Sequence, residues 1–244
     1  MKIVATIEAR MTSSRLPGKI LLPILGKPTL ELLIERLSRV RQIDQIVVAT
    51  TSNRSDDIVE ELTHHLGVGC YRGSEDDVLD RVLKAAQSYT ADNIVEITGD
   101  CPLIDPDVID HLIDIYLHNS YDYVSNTLKM TYPNGLDAQV FSVKTLAEVN
   151  RLTRDPTDHE HVSLYIYEHP ERYSLYNLES GLPEKYWNMR LTVDTLEDFE
   201  LIRTIYEELY PHNPAFALQD IISLLERKPE LITINKHIQQ KAVH

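Results

Sequence analysis

A polar loop directly follows the first apolar run of this chain, residues 3–7, and reads Glu8-Ala9-Arg10-Met11-Thr12-Ser13-Ser14-Arg15-Leu16-Pro17-Gly18-Lys19. Its three hydroxyl side chains are accompanied by three cations, Arg10, Arg15 and Lys19. Cations and hydroxyls bind phosphate oxygens, and Gly18 permits a close approach of the backbone. A strand before the loop would place it at the carboxyl edge of a sheet, where open α/β sheets bind ligands. The sequence therefore predicts a polyphosphate site here.

The spacing within this loop differs from two familiar phosphate-binding patterns. The P-loop requires a glycine, four residues and then Gly-Lys-Ser/Thr, and the dinucleotide turn requires G-x-G-x-x-G. Neither pattern occurs in residues 8–19. A solvated basic loop is the ordinary alternative, but the chain as a whole carries a net charge of -14, which makes three cations in one loop unusual.

The overall composition restricts the class of partner. With 244 residues, of which 43% are hydrophobic, the chain has the length and apolar content of one soluble domain. The strong negative charge disfavours nucleic acid or an anionic membrane surface as the main partner. No signal peptide or apolar run of about 18 residues is present. Cys70 and Cys101 are too far apart for a C-x-x-C site, so we expect free thiols and a cytoplasmic location.

Apolar runs alternate with helical periodicity along the chain. The predicted strands cover residues 3–7, 45–51, 68–71, 93–98, 121–126, 173–178 and 186–193, with a turn entering a strand at 132–141. The predicted helices cover residues 28–42, 56–66, 105–116, 143–154, 155–167, 197–210 and 217–227, and a further helix is predicted to begin at the acidic turn 75–77. This alternation predicts an α/β fold with a mostly parallel central sheet and right-handed crossovers.

Several motifs resemble those of the cytidylyltransferases that make CMP-activated sugars. The matching residues are Ala9-Arg10, Ser13 to Lys19, Gly26-Lys27-Pro28, Gly99 to Ile104, Glu160-His161-Val162 and Thr192 to Asp198. The chain is most similar to the spore-coat polysaccharide cytidylyltransferase-like subgroup, with the 3-deoxy-manno-octulosonate cytidylyltransferases as relatives. Glu8 departs from the Gln or Pro of the family, and Thr12 from the Gly of the subgroup.

The resemblance implies a Rossmann-like, three-layer nucleotide-diphospho-sugar transferase fold formed by residues 1–244 as one domain. Residues 130–192 would then bind the acceptor and form a homodimer contact. In the family's pattern the nucleotide-binding positions correspond to Ala9, Arg10, Ser13, Ser14, Arg15, Lys19, Arg72, Gly73, Ser74 and Arg81. The turn at 72–74 follows a predicted strand, and its backbone groups are suited to pair with the edge of a cytosine.

Two aspartates are candidates for binding Mg²⁺. Asp100 follows the predicted strand 93–98, and Asp194 follows the predicted strand 186–193. Mg²⁺ prefers carboxylate oxygens and bridges them to phosphate oxygens. Each aspartate has an ordinary structural alternative, since Asp100 also suits a turn before Pro102 and Asp194 also suits a helix cap.

The acceptor side is predicted from alternating polar residues after the turn at Asn134-Gly135. Asn134, Asp137 and Gln139 would face an acceptor sugar while the residues between them face the core. The resemblance adds Glu160 and His161. A metal site at His159 and His161 is disfavoured, because residues two apart do not share a helical face.

The sequence thus predicts an enzyme that transfers CMP from CTP to a sugar or sugar acid, with release of pyrophosphate, for surface polysaccharide synthesis. Arg10, Arg15 and Lys19 are the predicted catalytic residues, because they neutralise charge along the triphosphate. No general base is identifiable. Two alternatives stay open: a glycosyltransferase, whose D-x-D motif would be Asp105-Pro106-Asp107, and a non-catalytic nucleotide-binding protein.

Overall fold

The first strand, β1 (Ile3–Glu8), lies in the middle of a seven-stranded sheet. The computed structural model describes residues 1–239 of the chain. The remaining strands follow in chain order: β2 (Pro23–Ile24), β3 (Lys27–Pro28), β4 (Gln45–Thr51), β5 (Gly69–Gly73), β6 (Asn93–Thr98), β7 (Tyr123–Ser125), β8 (Gln139–Ser142) and β9 (Leu175–Asn177). Only β2 and β3 lie outside the main sheet among these strands, where they form a small antiparallel pair.

The main sheet has the strand order β5-β4-β1-β6-β8-β7-β9. β8 runs antiparallel to both of its neighbours, and every other adjacent pair in this sheet is parallel. Six of these strands therefore share one direction, so their carboxyl ends meet at one edge. The prediction of a mostly parallel sheet is confirmed.

Helices cover both faces of the sheet. They are α1 (Thr29–Leu37), α2 (Asp57–Leu66), α3 (Val78–Ser88), α4 (Pro106–His118), α5 (Val143–Leu152), α6 (Pro156–Glu160), α7 (Leu164–Glu168), α8 (Leu196–Leu209) and α9 (Leu218–Arg227). Buried side chains of α1, α2, α4, α8 and α9 pack on one face, and those of α3, α5 and α7 pack on the other. Successive residues of β1 alternate between the two cores, as the pleat of a strand requires. The three-layer prediction is confirmed.

Three predicted elements differ from the structure. The helix predicted for 28–42 ends at Leu37, where the Ser38 hydroxyl donates to the Ile34 carbonyl oxygen. The helix predicted for 155–167 is broken into α6 and α7 around His161, whose φ of -113° and ψ of 73° are not helical.

The prediction of a strand at residues 186–193 is wrong, because the structure has no strand there. Its first residue ends a short 3₁₀ turn, Glu184–Tyr186, and a single bridge joins Arg190 to Asn134. The segment forms isolated contacts instead of a strand ladder. The Arg190 side chain points inward and pairs with the buried carboxylates of Asp194 and Asp198. The Val193 amide donates to the Asp100 carbonyl oxygen at 2.8 Å.

Residues 130–192, predicted to form an acceptor-binding and dimer segment, contribute β8 and β9 to the main sheet. Their role in dimerisation stays a prediction. Within residues 1–239, no helix combines the length and the apolar character that crossing a membrane requires.

Candidate active site

The polar loop after β1 is held in place by a buried aspartate. The Met11 amide donates to Asp56 Oδ1 at 2.9 Å, and the hydroxyls of Thr50 and Thr51 donate to Asp56 Oδ2. Gly18 then turns the loop, with a φ of 73°, so that its amide donates to the Met11 carbonyl oxygen. Because only glycine adopts this backbone conformation without strain, Gly18 fixes the direction in which Lys19 leaves the loop.

Glu75 joins the loop to the turn after β5. Its Oε1 lies 3.5 Å from Arg10 Nη1 and accepts a hydrogen bond from Thr12, and its Oε2 accepts from Asn53 Nδ2 at 2.6 Å. The hydrogen bonds from Thr12 and Asn53, in that order, lower the pKa of Glu75 despite partial burial. Glu75 therefore stays ionised and restrains Arg10.

Lys19 lies between the two predicted metal ligands. Its Nζ is 2.8 Å from Asp100 Oδ2 and 2.9 Å from Asp194 Oδ1. Burial alone would lower the pKa of Lys19, but the two carboxylates outweigh it and raise the pKa. Burial would likewise raise the pKa of Asp100, and the Lys19 ammonium overcomes this and lowers it. Lys19 and Asp100 therefore remain charged near neutral pH.

Asp194 is in contact with two further cations. Its Oδ2 is 2.8 Å from Arg15 Nη2 and 3.1 Å from Arg190 Nη2, and Arg190 also contacts Asp198. Thr195, rather than Asp194, caps α8. Asp194 thus holds Arg15 and Lys19 together at one end of the loop.

The predicted nucleotide residues of the loop, together with both aspartates, line one cavity of about 380 Å³. These residues are Ala9, Arg10, Ser13, Ser14, Arg15, Lys19, Arg81, Asp100 and Asp194. The Arg81 guanidinium is held by the carbonyl oxygens of Ala49, Ser74 and Glu75. The cavity thus combines several fixed cations with two carboxylates, an arrangement suited to a polyphosphate.

Arg72, Gly73 and Ser74 lie outside the lining of this cavity. The Arg72 guanidinium is paired with Asp57 and Glu60 at 2.7 Å and 2.8 Å. Gly73 packs against the Arg81 side chain, and the Ser74 carbonyl oxygen accepts from Arg81. This turn therefore reaches the cavity through Arg81, and base recognition by residues 72–74 stays a prediction.

A second cavity, of about 620 Å³, lies beside the first. The two share the lining residues Glu8, Thr98, Glu160 and His161. Of the predicted acceptor residues, Asp137, Gln139, Glu160 and His161 line the second cavity. Asn134 does not line it, and its backbone pairs with that of Met189 and Leu191.

Sequence reasoning missed four residues that shape the site. Glu96 lines the second cavity from the middle of an apolar strand, and its charge in that run was the available signal. Asp56 and Glu75 hold the loop, and Arg190 pairs with Asp194. Nothing in the local pattern distinguishes these three from ordinary helix caps and surface charges.

The D-x-D sequence at 105–107 is structural. Asp105 is 5% exposed, and its two oxygens accept the backbone amides of Asp107 and Leu218 at 2.9 Å and 2.7 Å. Asp105 caps α4 and fastens the start of α9, so its oxygens are engaged away from the cavity. This disfavours the glycosyltransferase alternative.

The donor set fits a magnesium ion brought in by a nucleotide. Oxygens of Asp100 and Asp194 already converge on one cationic atom, Lys19 Nζ, within 2.9 Å. Among residues 1–239, no group of three or more His, Cys, Asp or Glu side chains is arranged to hold a metal. Mg²⁺ commonly takes one or two carboxylates together with substrate phosphates, so two aspartates suffice.

Comparison with known proteins shows similarity to cytidylyltransferases in both a family model and individual relatives. A family model described as cytidylyltransferase matches residues 4–220. The spore coat polysaccharide biosynthesis protein SpsF of Bacillus subtilis is 34% identical over 95% of this chain and 97% of its own length. A 3-deoxy-manno-octulosonate cytidylyltransferase of Trichlorobacter lovleyi is 31% identical over 69% of this chain and 76% of its own length.

A solved structure extends the likeness to three dimensions. The structure of a cytidylyltransferase from Leptospira borgpetersenii superposes with a TM-score of 0.90 at 34% identity, and the match covers 100% of both chains. The predicted Rossmann-like nucleotidyltransferase architecture is thereby confirmed.

Proposed function

The chain belongs to the cytidylyltransferase family of CTP-using nucleotidyltransferases, as the resemblance predicted, and we propose that it transfers CMP from CTP to a hydroxyl of a small sugar-type acceptor. In this reaction the acceptor oxygen bonds to the α-phosphorus, the bond to the departing pyrophosphate breaks, and the hydroxyl proton is released. By analogy with the name of the Bacillus subtilis relative, the product would serve surface polysaccharide synthesis.

One observation carries the proposal: Arg10, Arg15 and Lys19 line a cavity whose neighbour is lined by the predicted acceptor residues. The cations would bind the triphosphate and stabilise the charge that builds on it as pyrophosphate leaves. The residues shared by the two cavities, Glu8, Thr98, Glu160 and His161, would border the path of the attacking hydroxyl. Fixed orientation of the two substrates then supplies much of the rate.

Asp100 and Asp194 would hold Mg²⁺, which when bound supplies charge neutralisation to the triphosphate. The chain's own contribution is to hold both carboxylates together on Lys19, and to keep Asp100 ionised, before the nucleotide arrives. The Lys19 ammonium, which lies between these two carboxylates, would pair with a phosphate oxygen of the bound nucleotide.

The proposal is tested by nucleotide-dependent thermal stabilisation. In the presence of Mg²⁺, CTP should raise the melting temperature much more than ATP or GTP does. At a CTP concentration of about 100 Kd, the gain in free energy of unfolding is about 2.7 kcal/mol, well within detection.

The matched variants are Lys19→Met, which removes a predicted phosphate contact, and Lys84→Met, which removes an exposed lysine that pairs with Asp80. CTP should stabilise the Lys84 variant as it does the unaltered protein and the Lys19 variant much less. Equal stabilisation by all three nucleotides would refute the assignment of CTP.

A further inference from the structure

The second cavity differs from the first in the charge of its lining. Arg10, Arg15, Lys19 and Arg81 line the first cavity, whereas the described residues that line the second include no lysine or arginine. The second cavity instead contains four carboxyl side chains, Glu8, Glu96, Asp137 and Glu160. The lining of the first cavity is therefore suited to anionic ligands, and the lining of the second is not.

Three of these carboxyls have buried oxygens that accept no hydrogen bond from any donor within residues 1–239. The atoms are Glu8 Oε1, Glu96 Oε2 and Asp137 Oδ1. Glu96 is only 6% exposed, and it lines the cavity from β6. An acceptor oxygen buried without a donor is costly, so such atoms indicate a ligand that brings the donors.

Glu8 and Glu96 partly compensate each other. Their side chains lie within hydrogen-bonding reach on the adjacent strands β1 and β6, so one shared proton satisfies one oxygen of the pair. Asp137 gains less from its surroundings: within the described part of the chain, its Oδ2 receives one long contact of 3.5 Å, from the Gly135 amide. Burial raises the pKa of Asp137 to about 7, and the Asp100 carboxylate acts in the same direction.

We propose that this cavity selects an acceptor that carries hydrogen-bond donors, an amino sugar above all, over an acceptor that carries a carboxylate. The inference rests on the proposed function, which requires an acceptor beside the nucleotide cavity. An ammonium group would supply several hydrogen-bond donors to the unpartnered oxygens of Glu96 and Asp137. A carboxylate in the same place would bring no donor to these oxygens.

The experiment compares three probes with one carbon skeleton: glucosamine, glucose and glucuronic acid. Binding of each to the full chain is measured by saturation-transfer NMR in the presence of Mg²⁺ and a non-hydrolysable CTP analogue, and again without nucleotide. We expect glucosamine to bind at least about tenfold more tightly than glucuronic acid, with glucose between them. Absence of glucosamine binding, or glucuronic acid binding that is equal or tighter, overturns the inference.

Substitutions of two cavity residues test whether they cause the preference for glucosamine. Glu96→Gln and Asp137→Asn keep the size of each side chain and replace one accepting oxygen by an NH₂ donor, so both should reduce the preference for glucosamine severalfold. Glu61→Gln changes an exposed glutamate on α2 and is the matched control. Retention of CTP-dependent stabilisation shows that a variant is folded. Unchanged selectivity in both folded cavity variants also overturns the inference.

The two proposals fail separately. Loss of CTP selectivity in the thermal assay, with the sugar preference intact in the absence of nucleotide, would refute the proposed function and leave an amino-sugar site. CTP selectivity together with a preference for glucuronic acid would leave the proposed function standing and refute this inference.

Discussion

Glu8 shows how one residue is governed by its surroundings. It ends β1, borders both cavities, and lies beside Glu96. Burial disfavours its charged form and raises its pKa from 4.5 to about 7, although Arg81 acts in the opposite direction. The folded chain therefore binds a proton that the unfolded chain releases at lower pH.

This linkage predicts a pH-dependent effect of Glu8→Gln. An acid whose pKa is raised on folding contributes stability below pH 4.5, and that stability is lost as the pH rises towards 7. The variant has no charge to bury, so we expect it to gain about 2 kcal/mol of unfolding free energy relative to the unaltered protein between pH 5 and pH 8. Urea unfolding at the two pH values measures this difference.

The control for this prediction is Glu61→Gln, which changes an exposed carboxyl of the same kind. Its stability relative to the unaltered protein should be the same at both pH values. A Glu8 variant that behaves like this control would show that Glu8 is ionised without cost in the folded chain.

At the residue scale, the sequence predicted those site residues that are neighbours along the chain. Arg10, Arg15 and Lys19 are neighbours in one loop, and all three line the predicted cavity. The environment of Glu96 and the pairing of Arg72 with Asp57 and Glu60 could not be predicted, because both depend on which elements pack together. The sequence shows that a residue is charged, but it does not show which residue will form an ion pair with it in the fold.

At the scale of elements, the turn at Asn134-Gly135 is a fixed point for the segment that carries Arg190 and Asp194. The Asn134 amide donates to the Met189 carbonyl oxygen at 2.9 Å, and the Leu191 amide donates to the Asn134 carbonyl oxygen at 2.7 Å. Gly135 has a φ of 104°, and a Cβ atom there would lie 2.4 Å from the Leu191 backbone. Glycine is required for both reasons.

Gly135→Ala should therefore be strongly destabilising. The left-handed backbone alone costs an alanine about 1–2 kcal/mol, and the contact with Leu191 adds to it, so we expect a loss of about 3 kcal/mol in unfolding free energy. Gly181→Ala is the matched control, because Gly181 has a φ of 68° but open space around its Cβ position. Chemical denaturation of both variants gives the comparison, and equal losses would mean that the close approach to Leu191 is unimportant.

Element prediction failed where tertiary contacts override local pattern. The residues around His161 have helical periodicity, yet the helix breaks there and His161 borders both cavities. Residues 186–193 alternate like a strand, but Arg190 is drawn to Asp194 and Asp198, and no ladder forms in that segment. Elements with a continuous apolar face, such as β4 and α9, were predicted almost to the residue.

At the scale of the whole molecule, the charged centre joins three distant parts of the chain. Lys19 is 81 residues from Asp100 and 175 residues from Asp194, and its ammonium contacts both. The parallel sheet makes this possible, because β1 and β6 end at the same edge and the Asp100 carbonyl oxygen binds the Val193 amide there. Asp100 and Asp194 therefore form one charged group with Lys19, although they are far apart in the sequence.

This arrangement predicts that the two aspartates act together in catalysis. Asp100→Asn and Asp194→Asn should each lower kcat by about a hundredfold or more, and the double variant should be hardly slower than the slower single variant, because residues that act as a unit are not additive. Asp194→Asn should also be less stable, since it leaves Lys19, Arg15 and Arg190 without their shared partner. Asp114→Asn, an exposed change on α4, is the control for kcat. Pyrophosphate release under saturating CTP and acceptor measures each rate, and losses that multiply in the double variant would show that the two carboxylates serve separate steps.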